Sequence, residues 1–215
     1  MKRFLIWLVI CLMPVTCWAH SGGTNAEGCH HNRKTGEYHC HNKKKHLAPP
    51  QGSPSSTYDR KEFGRWIDAD GDCQDTRQEV LIEESRIPVT FKTARQCRVI
   101  AGEWHDPYTG RVFTNPSLLD VDHVVPLKEA FDSGAKAWSR QKKIQFANDL
   151  DNQDHLIAVY RSANRSKGAR DPARWLPPNQ AYHREYVTIW LEIKKAWRLS
   201  LDSEEASVIQ RILKE

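Results

Sequence analysis

The stretch Asp120-Val121-Asp122-His123-Val124-Val125-Pro126-Leu127 decides the fold when read with His155-Leu156-Ile157-Ala158-Val159-Tyr160 and the Arg161-Ser162-Ala163-Asn164-Arg165-Ser166-Lys167-Gly168 that follows. Val121, Val124 and Val125 suit an extended strand, because a branched Cβ packs well on a pleated surface. Pro126 has no N–H for a ladder and ends it. His155–Tyr160 is an apolar run of strand length. Ser162 is a capping residue type suited to the start of a short helix, and Gly168 suits its close. The predicted order is strand, returning strand, then a helix presenting Asn164, Arg165 and Lys167. Asp122 and His123 are adjacent, so a regular strand points them to opposite sides, and both reach one site only where the backbone bends. An Asp-His pair alone is commonplace. The helix that returns an amide and two cations to the same strand pair is what raises it to a candidate site.

Around this centre the chain reads as helical. Ser139 is placed to cap a helix with Ile144 and Ala147 on one face. Tyr182, Tyr186, Ile189, Trp190, Ile193 and Trp197 recur at helical spacing and mark a long amphipathic helix. Asp202, with Glu205 three residues on, has the form of a capping box, followed by Ile209, Ile212 and Leu213 on one stripe. No internal repeat is present. The predicted fold class is α+β, mostly helical, with a small hairpin in the middle, and the domain carrying it runs from residue 58 to 215.

The N-terminal part is of a different kind. Lys2 and Arg3 precede an apolar run from Phe4 to Val15, and Cys17-Trp18-Ala19 puts small residues where signal peptidase reads. Residues 1–19 are predicted as a secretory signal peptide, too short to span a bilayer, with an uncleaved anchor as the alternative. No other apolar run has spanning length. The expectation is a secreted or periplasmic protein with no stable membrane association after cleavage. Loss of Lys2 and Arg3 takes the Lys and Arg count from 32 to 30 against 27 acidic residues, a net charge of +3. So small an excess implies no nucleic-acid partner by itself. Residues 20–46 hold six of the ten histidines, two cysteines and a lysine run, with almost no aliphatic side chains. Such a segment cannot bury a core, so order there must come from a metal or a disulfide. Residues 47–57, LAPPQGSPSST, form a Pro/Ser/Gly linker.

At this point DVDHVVPL and HLIAVYRSANRSKGARDPARW together resemble the HNH endonuclease superfamily. The nearest resemblance is to exported HNH nucleases related to the C-terminal domain of GmrSD-type restriction enzymes. It extends from about Tyr58 to the C-terminus, through YDRKEFGRWIDADGDCQDTRQEVL and the GEWHDPYTG segment. It implies a ββα-metal core elaborated by helices, and a metal-dependent endonuclease activity on DNA with low sequence specificity, leaving 5′-phosphate and 3′-hydroxyl ends. RNA is left open. Residue by residue, Asp122 matches the first metal ligand, His123 the general base and Asn164 the second metal ligand. The middle position, often Asn, falls on His155, nine residues before Asn164. That is a departure: either His155 takes the orienting role or Asn148 or Asn152 supplies the amide. Oxygen ligands favour a hard ion, so Mg²⁺ is expected, with Mn²⁺ or Zn²⁺ as alternatives. Arg165 and Lys167 stand beside Asn164 as candidate phosphate contacts, against the plain reading of a solvated face.

Other signals have strong bland readings. Asp68-Ala69-Asp70-Gly71-Asp72 with Glu79 has part of a calcium-loop pattern, but Cys73 stands where that loop needs glycine. An acidic turn tied down by a Cys73–Cys97 disulfide is the favoured reading. Arg77 is a candidate salt-bridge partner near the site, and His105 and His183 read as structural. The segment HSGGTNAEGCHHNRKTGEYHCH resembles the YHYH-type module of exported bacterial proteins. Either a Cys29–Cys40 disulfide closes it as a hairpin, or Cys29, His31, Cys40 and His41 hold zinc. Two rival functions stand beside the nuclease. One is an antibacterial effector toxin with the same chemistry, which needs an immunity protein. The other is a metal-binding protein without activity.

Overall fold

The computed structural model describes residues 57–152 and 154–214, with the backbone of residues 29–31 and 38–40. The expected signal peptide, the linker up to residue 56 and the side chains of Cys29, His31, Cys40 and His41 lie outside the described residues.

In chain order the elements are β1 (Cys29–His31), β2 (Tyr38–Cys40), α1 (Thr76–Glu83), β3 (Thr90–Phe91), β4 (Val99–Ala101), β5 (Trp104–Asp106), β6 (Arg111–Phe113), β7 (Leu119–His123), α2 (Leu127–Asp132), α3 (Arg140–Ala147), β8 (Leu156–Tyr160), α4 (Arg161–Lys167), α5 (His183–Trp197) and α6 (Ser203–Lys214). The strands pair two by two, all antiparallel: β1 with β2, β3 with β4, β5 with β6, β7 with β8. This is the mixture of helices and small antiparallel sheets that the sequence predicts.

The β7–β8 hairpin is the centre of the molecule. Its register runs without a slip from Leu119 opposite Tyr160 to His123 opposite Leu156. Because side chains alternate, one face of the hairpin sends Leu119, Val121, Leu156 and Ala158 into an apolar cluster with Leu81, Val99 and Trp104. The other face sends Ile157 and Val159 into a larger cluster with Phe146, Tyr186 and Trp190. The hairpin is thus covered on both sides, which accounts for its nearly unbroken apolar β8.

The capping signals are met in three places out of four. Ser139 accepts from the Lys142 N–H at the head of α3. Asp202 accepts from the Glu204 and Glu205 N–H groups while the Glu205 carboxylate accepts from the Asp202 N–H, a complete capping box at α6. Gly168 closes α4 at a φ of 59°, its N–H bonded to the Asn164 carbonyl. Ser162 does not cap: α4 begins at Arg161, directly after β8, and Ser162 sits inside its first turn. Lys194 of α5, fully buried, donates to Glu129 of α2 at 2.7 Å and to Glu205 of α6 at 2.8 Å, and so fastens the C-terminal helices to the body. Among the described residues no helix is long and apolar enough to cross a membrane.

Candidate active site

The site is built where β7, β8 and α4 meet. With β7 regular to its last residue, Asp120 and Asp122 fall on the α4 side and His123 on the opposite side. The bend needed to put Asp122 and His123 on one side is absent, and the two side chains have separate surroundings.

His123 is 8% exposed. Its Nε2 lies 2.9 Å from the carbonyl of Ala147, the last residue of α3. A carbonyl only accepts, so this nitrogen carries the hydrogen and Nδ1 keeps the free lone pair. Burial pushes the imidazole well below its ordinary pKa, helped by the nearby His155, Arg60 and Lys167, while the Ala147 bond opposes. The ring is therefore neutral, and burial makes its protonated form costlier to reach. Its face is covered by Trp66, whose ring is stacked at 5.2 Å between centroids and 12° between planes.

Trp66 is held by a side chain far away in sequence. Asn148, just past α3, donates through Nδ2 to the Arg65 and Ile144 carbonyls and accepts at Oδ1 from the Ile67 N–H and the Thr76 hydroxyl. The amide hydrogen-bonds to the backbone on both flanks of Trp66. Sequence reasoning left Asn148 as one of three choices for the middle position. It makes this clamp, while its neighbour Ala147 supplies the carbonyl that orients His123. His155 is placed differently. Its Nε2 donates to the Phe146 carbonyl at 2.7 Å, and its ring meets His123 edge-on with centroids 6.1 Å apart. The His155 carbonyl accepts from the Val124 N–H, so neither part of His155 bonds the His123 ring.

On the other side of β7, Asp122 is buried and Oδ2 accepts from the Tyr108 hydroxyl at 2.6 Å and from the Lys167 ammonium at 2.5 Å. Lys167 also donates to the His123 carbonyl at 2.7 Å. Burial raises the Asp122 carboxyl above its ordinary value, against Lys167, which favours the charged form. Burial likewise lowers Lys167, against Asp122. Lys167 is fully buried and neither lines a solvated face nor reaches a phosphate as placed; this corrects its expected role as a nucleic-acid contact. Arg165 by contrast has its side chain 70% exposed. Asn164 donates from Nδ2 to Asp120 Oδ2 at 3.3 Å, and Arg165 lies 3.9 Å from the same oxygen. Asp120 and Tyr108 have no spacing signal that marks them from sequence; only the folded chain brings them to Asn164 and Asp122.

A metal is tested by this donor set. Asp120 and Asp122 are two carboxylates on one strand face, Asn164 adds an amide, and the Lys167 ammonium stands on Asp122 as a cation. The carboxylate and amide oxygens are of the type a hard divalent ion takes, but the Lys167 ammonium already occupies Asp122 Oδ2 and competes with a cation there. Arg77, a salt-bridge candidate from sequence, donates instead to the Pro116 and Leu119 carbonyls and braces the entry to β7. A separate cavity of about 650 Å³ is lined by Glu79, Glu83, Glu84, Asp154 and Glu185 with Arg86 as cation. So many carboxylates repel a phosphodiester, which points away from this cavity as the substrate groove.

The peripheral expectations resolve simply. Cys73 and Cys97 are joined by a disulfide. Asp68 accepts from the Gly71 and Cys73 N–H groups, and Cys73 takes a φ of 76°, doing as a cysteine what glycine does in a calcium loop. Asp68, Asp70 and Asp72 place carboxylate oxygens within 4.8 Å of one another in an exposed turn. His183 bonds the Pro177 carbonyl through Nε2 at 2.7 Å at the head of α5, a structural role, and His105 is exposed on β5.

Residues 73–211 match the family described as GmrSD restriction endonucleases, C-terminal domain. The chain is also 38% identical over 164 residues to an "uncharacterized secreted protein" of Arthroderma benhamiae, covering 76% of this chain and 78% of that protein. No solved structure matches. The family match takes in β7, β8, α3 and α4 whole, with Asp120, Asp122, His123, Asn148 and Asn164. On the breadth of that match, the chain belongs to the family of GmrSD restriction endonuclease C-terminal domains.

Proposed function

We propose that this chain is an exported, divalent-metal-dependent endonuclease of the HNH type that hydrolyses DNA phosphodiester bonds with low sequence specificity, using His123 as general base. One observation carries the reading. His123 is a buried neutral imidazole whose Nε2–H is fixed on the Ala147 carbonyl, which leaves Nδ1 to take a proton from water. Family membership supports a nucleic acid as substrate.

In this reading Asp122 and Asn164, with Asp120 beside them, would hold Mg²⁺, with Mn²⁺ or Zn²⁺ as the alternatives. When bound, the ion supplies charge neutralisation for the phosphate oxygens as they gain negative charge. A cation at Asp122 would have to displace the Lys167 ammonium from its carboxylate. Nδ1 of His123 receives the proton of the attacking water, and Arg165 holds a flanking phosphate. Cleavage leaves a 5′-phosphate and a 3′-hydroxyl. The pairing of Asp122 with Lys167, and the placement of Asp122 and His123 on opposite sides of β7, favour a second reading, a protein whose nuclease site no longer takes a metal. The experiment is nicking of supercoiled plasmid in Mg²⁺ and in excess EDTA. Nicking in Mg²⁺ alone is expected, nicking unchanged by EDTA rules out the metal mechanism, and no nicking with any divalent ion favours the second reading.

A further inference from the structure

We propose that Trp66 is a positioning residue for His123, fixing the plane of the imidazole that the Ala147 carbonyl fixes only at one point. This rests on the reading of His123 as the base. Cγ is held by the chain and Nε2 by one hydrogen bond, so the ring can still turn about the line joining them, and turning carries Nδ1 away from the water it must deprotonate. One further contact off that line defines the plane. The indole of Trp66 lies flat on one face, at 12°, and His155 meets the ring at 88° with a centroid distance of 6.1 Å. A flat stack resists tilting because tilting forfeits the face-to-face contact area.

The stack is worth having only if Trp66 is itself immobile, and the backbone around it shows why it is. Gly64–Ile67 has no regular secondary structure. Its hold on the body comes from Asn148, bonded to the Arg65 carbonyl at 3.1 Å and to the Ile67 N–H at 3.1 Å, and from Thr76, whose N–H reaches the Ile67 carbonyl at 2.8 Å. Asn148 directly follows Ala147. The end of α3 therefore constrains His123 twice: once at the ring edge through the Ala147 carbonyl, and once at the ring face through Asn148 and Trp66. Misplacing a reacting group by about 1 Å can cost on the order of 10²-fold in rate, so a loosened ring should show in turnover.

The test uses the full chain and plasmid nicking, with Trp66→Phe, Trp66→Leu and Trp66→Ala compared in the wild-type and His123→Ala backgrounds. Trp66→Leu keeps an apolar filler and loses the flat ring, so it separates positioning from simple burial even if Trp66→Ala does not fold. The expected result is a kcat lowered about tenfold or more for Leu and Ala with KM within about threefold of wild type, and Phe restoring kcat to within about threefold. In the His123→Ala background these substitutions should change the residual rate by less than about twofold, since nothing is left to position. Trp66 losses of equal size in both backgrounds overturn the proposal, as does a raised KM with unchanged kcat, which marks Trp66 as a substrate contact. Equal rates for Leu and Phe also overturn it. If His123→Ala itself keeps most of the activity, the base assignment has failed, and that outcome is distinct from any of these.

Discussion

Asp122 and Lys167 are two charges taken out of water together, and each is kept by the other. Lys167 is fully buried and Asp122 is 6% exposed, so removing one partner leaves an uncompensated charge in the interior. Lys167→Met should lower the unfolding free energy by about 3–5 kcal/mol at neutral pH, measured by urea denaturation, and the Asp122→Asn/Lys167→Met double variant should regain most of it. A loss below about 1 kcal/mol for the single variant shows that the pair does not hold the site together. The metal assignment makes a separate prediction. Asn164→Ala and Asp122→Asn should each raise the Mg²⁺ concentration needed for half-maximal nicking by tenfold or more, because each removes one oxygen from a site with few protein ligands. Unchanged Mg²⁺ dependence in both moves the ligands elsewhere. Lys167 also shows what residue-level reading misses: Asn164, Arg165 and Lys167 lie on one short helix, yet helical geometry alone does not say which cation turns inward. The nearby Asp122 decides it.

Among the elements, those with a periodic or capping signal were legible. The separate strands β7 and β8, α5 and the Asp202–Glu205 box follow from spacing that local geometry enforces, while the pairing of β7 with β8 across α2 and α3 came from the family resemblance. The long-range contacts were not legible. Asn148 reaches Ile67 across 81 residues, and Glu84 at the end of α1 accepts from the Ala158 N–H of β8 across 74. Neither has a local pattern to announce it. Glu84 carries a testable consequence. Burial pushes its carboxyl from 4.5 up to about 7, with Asp154 and Glu83 adding and the Ala158 bond opposing. Between those two values the folded chain holds a proton that the unfolded chain has released. Stability therefore falls as pH rises through this window and levels off above it, by on the order of 3 kcal/mol. Glu84→Gln keeps an acceptor for Ala158 and cannot ionise, so its stability should lack that fall. Parallel pH profiles for the two proteins in thermal unfolding contradict the assignment.

Residues 20–46 are rich in histidine and cysteine, and the described residues 57–152 and 154–214 hold every residue placed in the site. The body contains two apolar clusters that share the β7–β8 hairpin, and the C-terminal helices are fastened to it by Lys194. A chain starting at Tyr58 should fold and nick plasmid within about tenfold of the full chain, the difference reflecting loss of the Lys43–Lys45 run and shrinking as salt is raised. Loss of all nicking at every salt concentration would mean that the N-terminal part belongs to the active machinery.

The central claim is that His123 takes the proton from the attacking water. Single-turnover cleavage of plasmid by wild type and His123→Ala, both in saturating Mg²⁺, tests it most directly, with DNA binding and thermal unfolding measured alongside. Positioned proton transfer is worth roughly 10²–10⁴-fold, so His123→Ala should lose that much rate while binding DNA and unfolding almost as wild type does. A variant that still cleaves within about threefold of wild type would place the base on another residue.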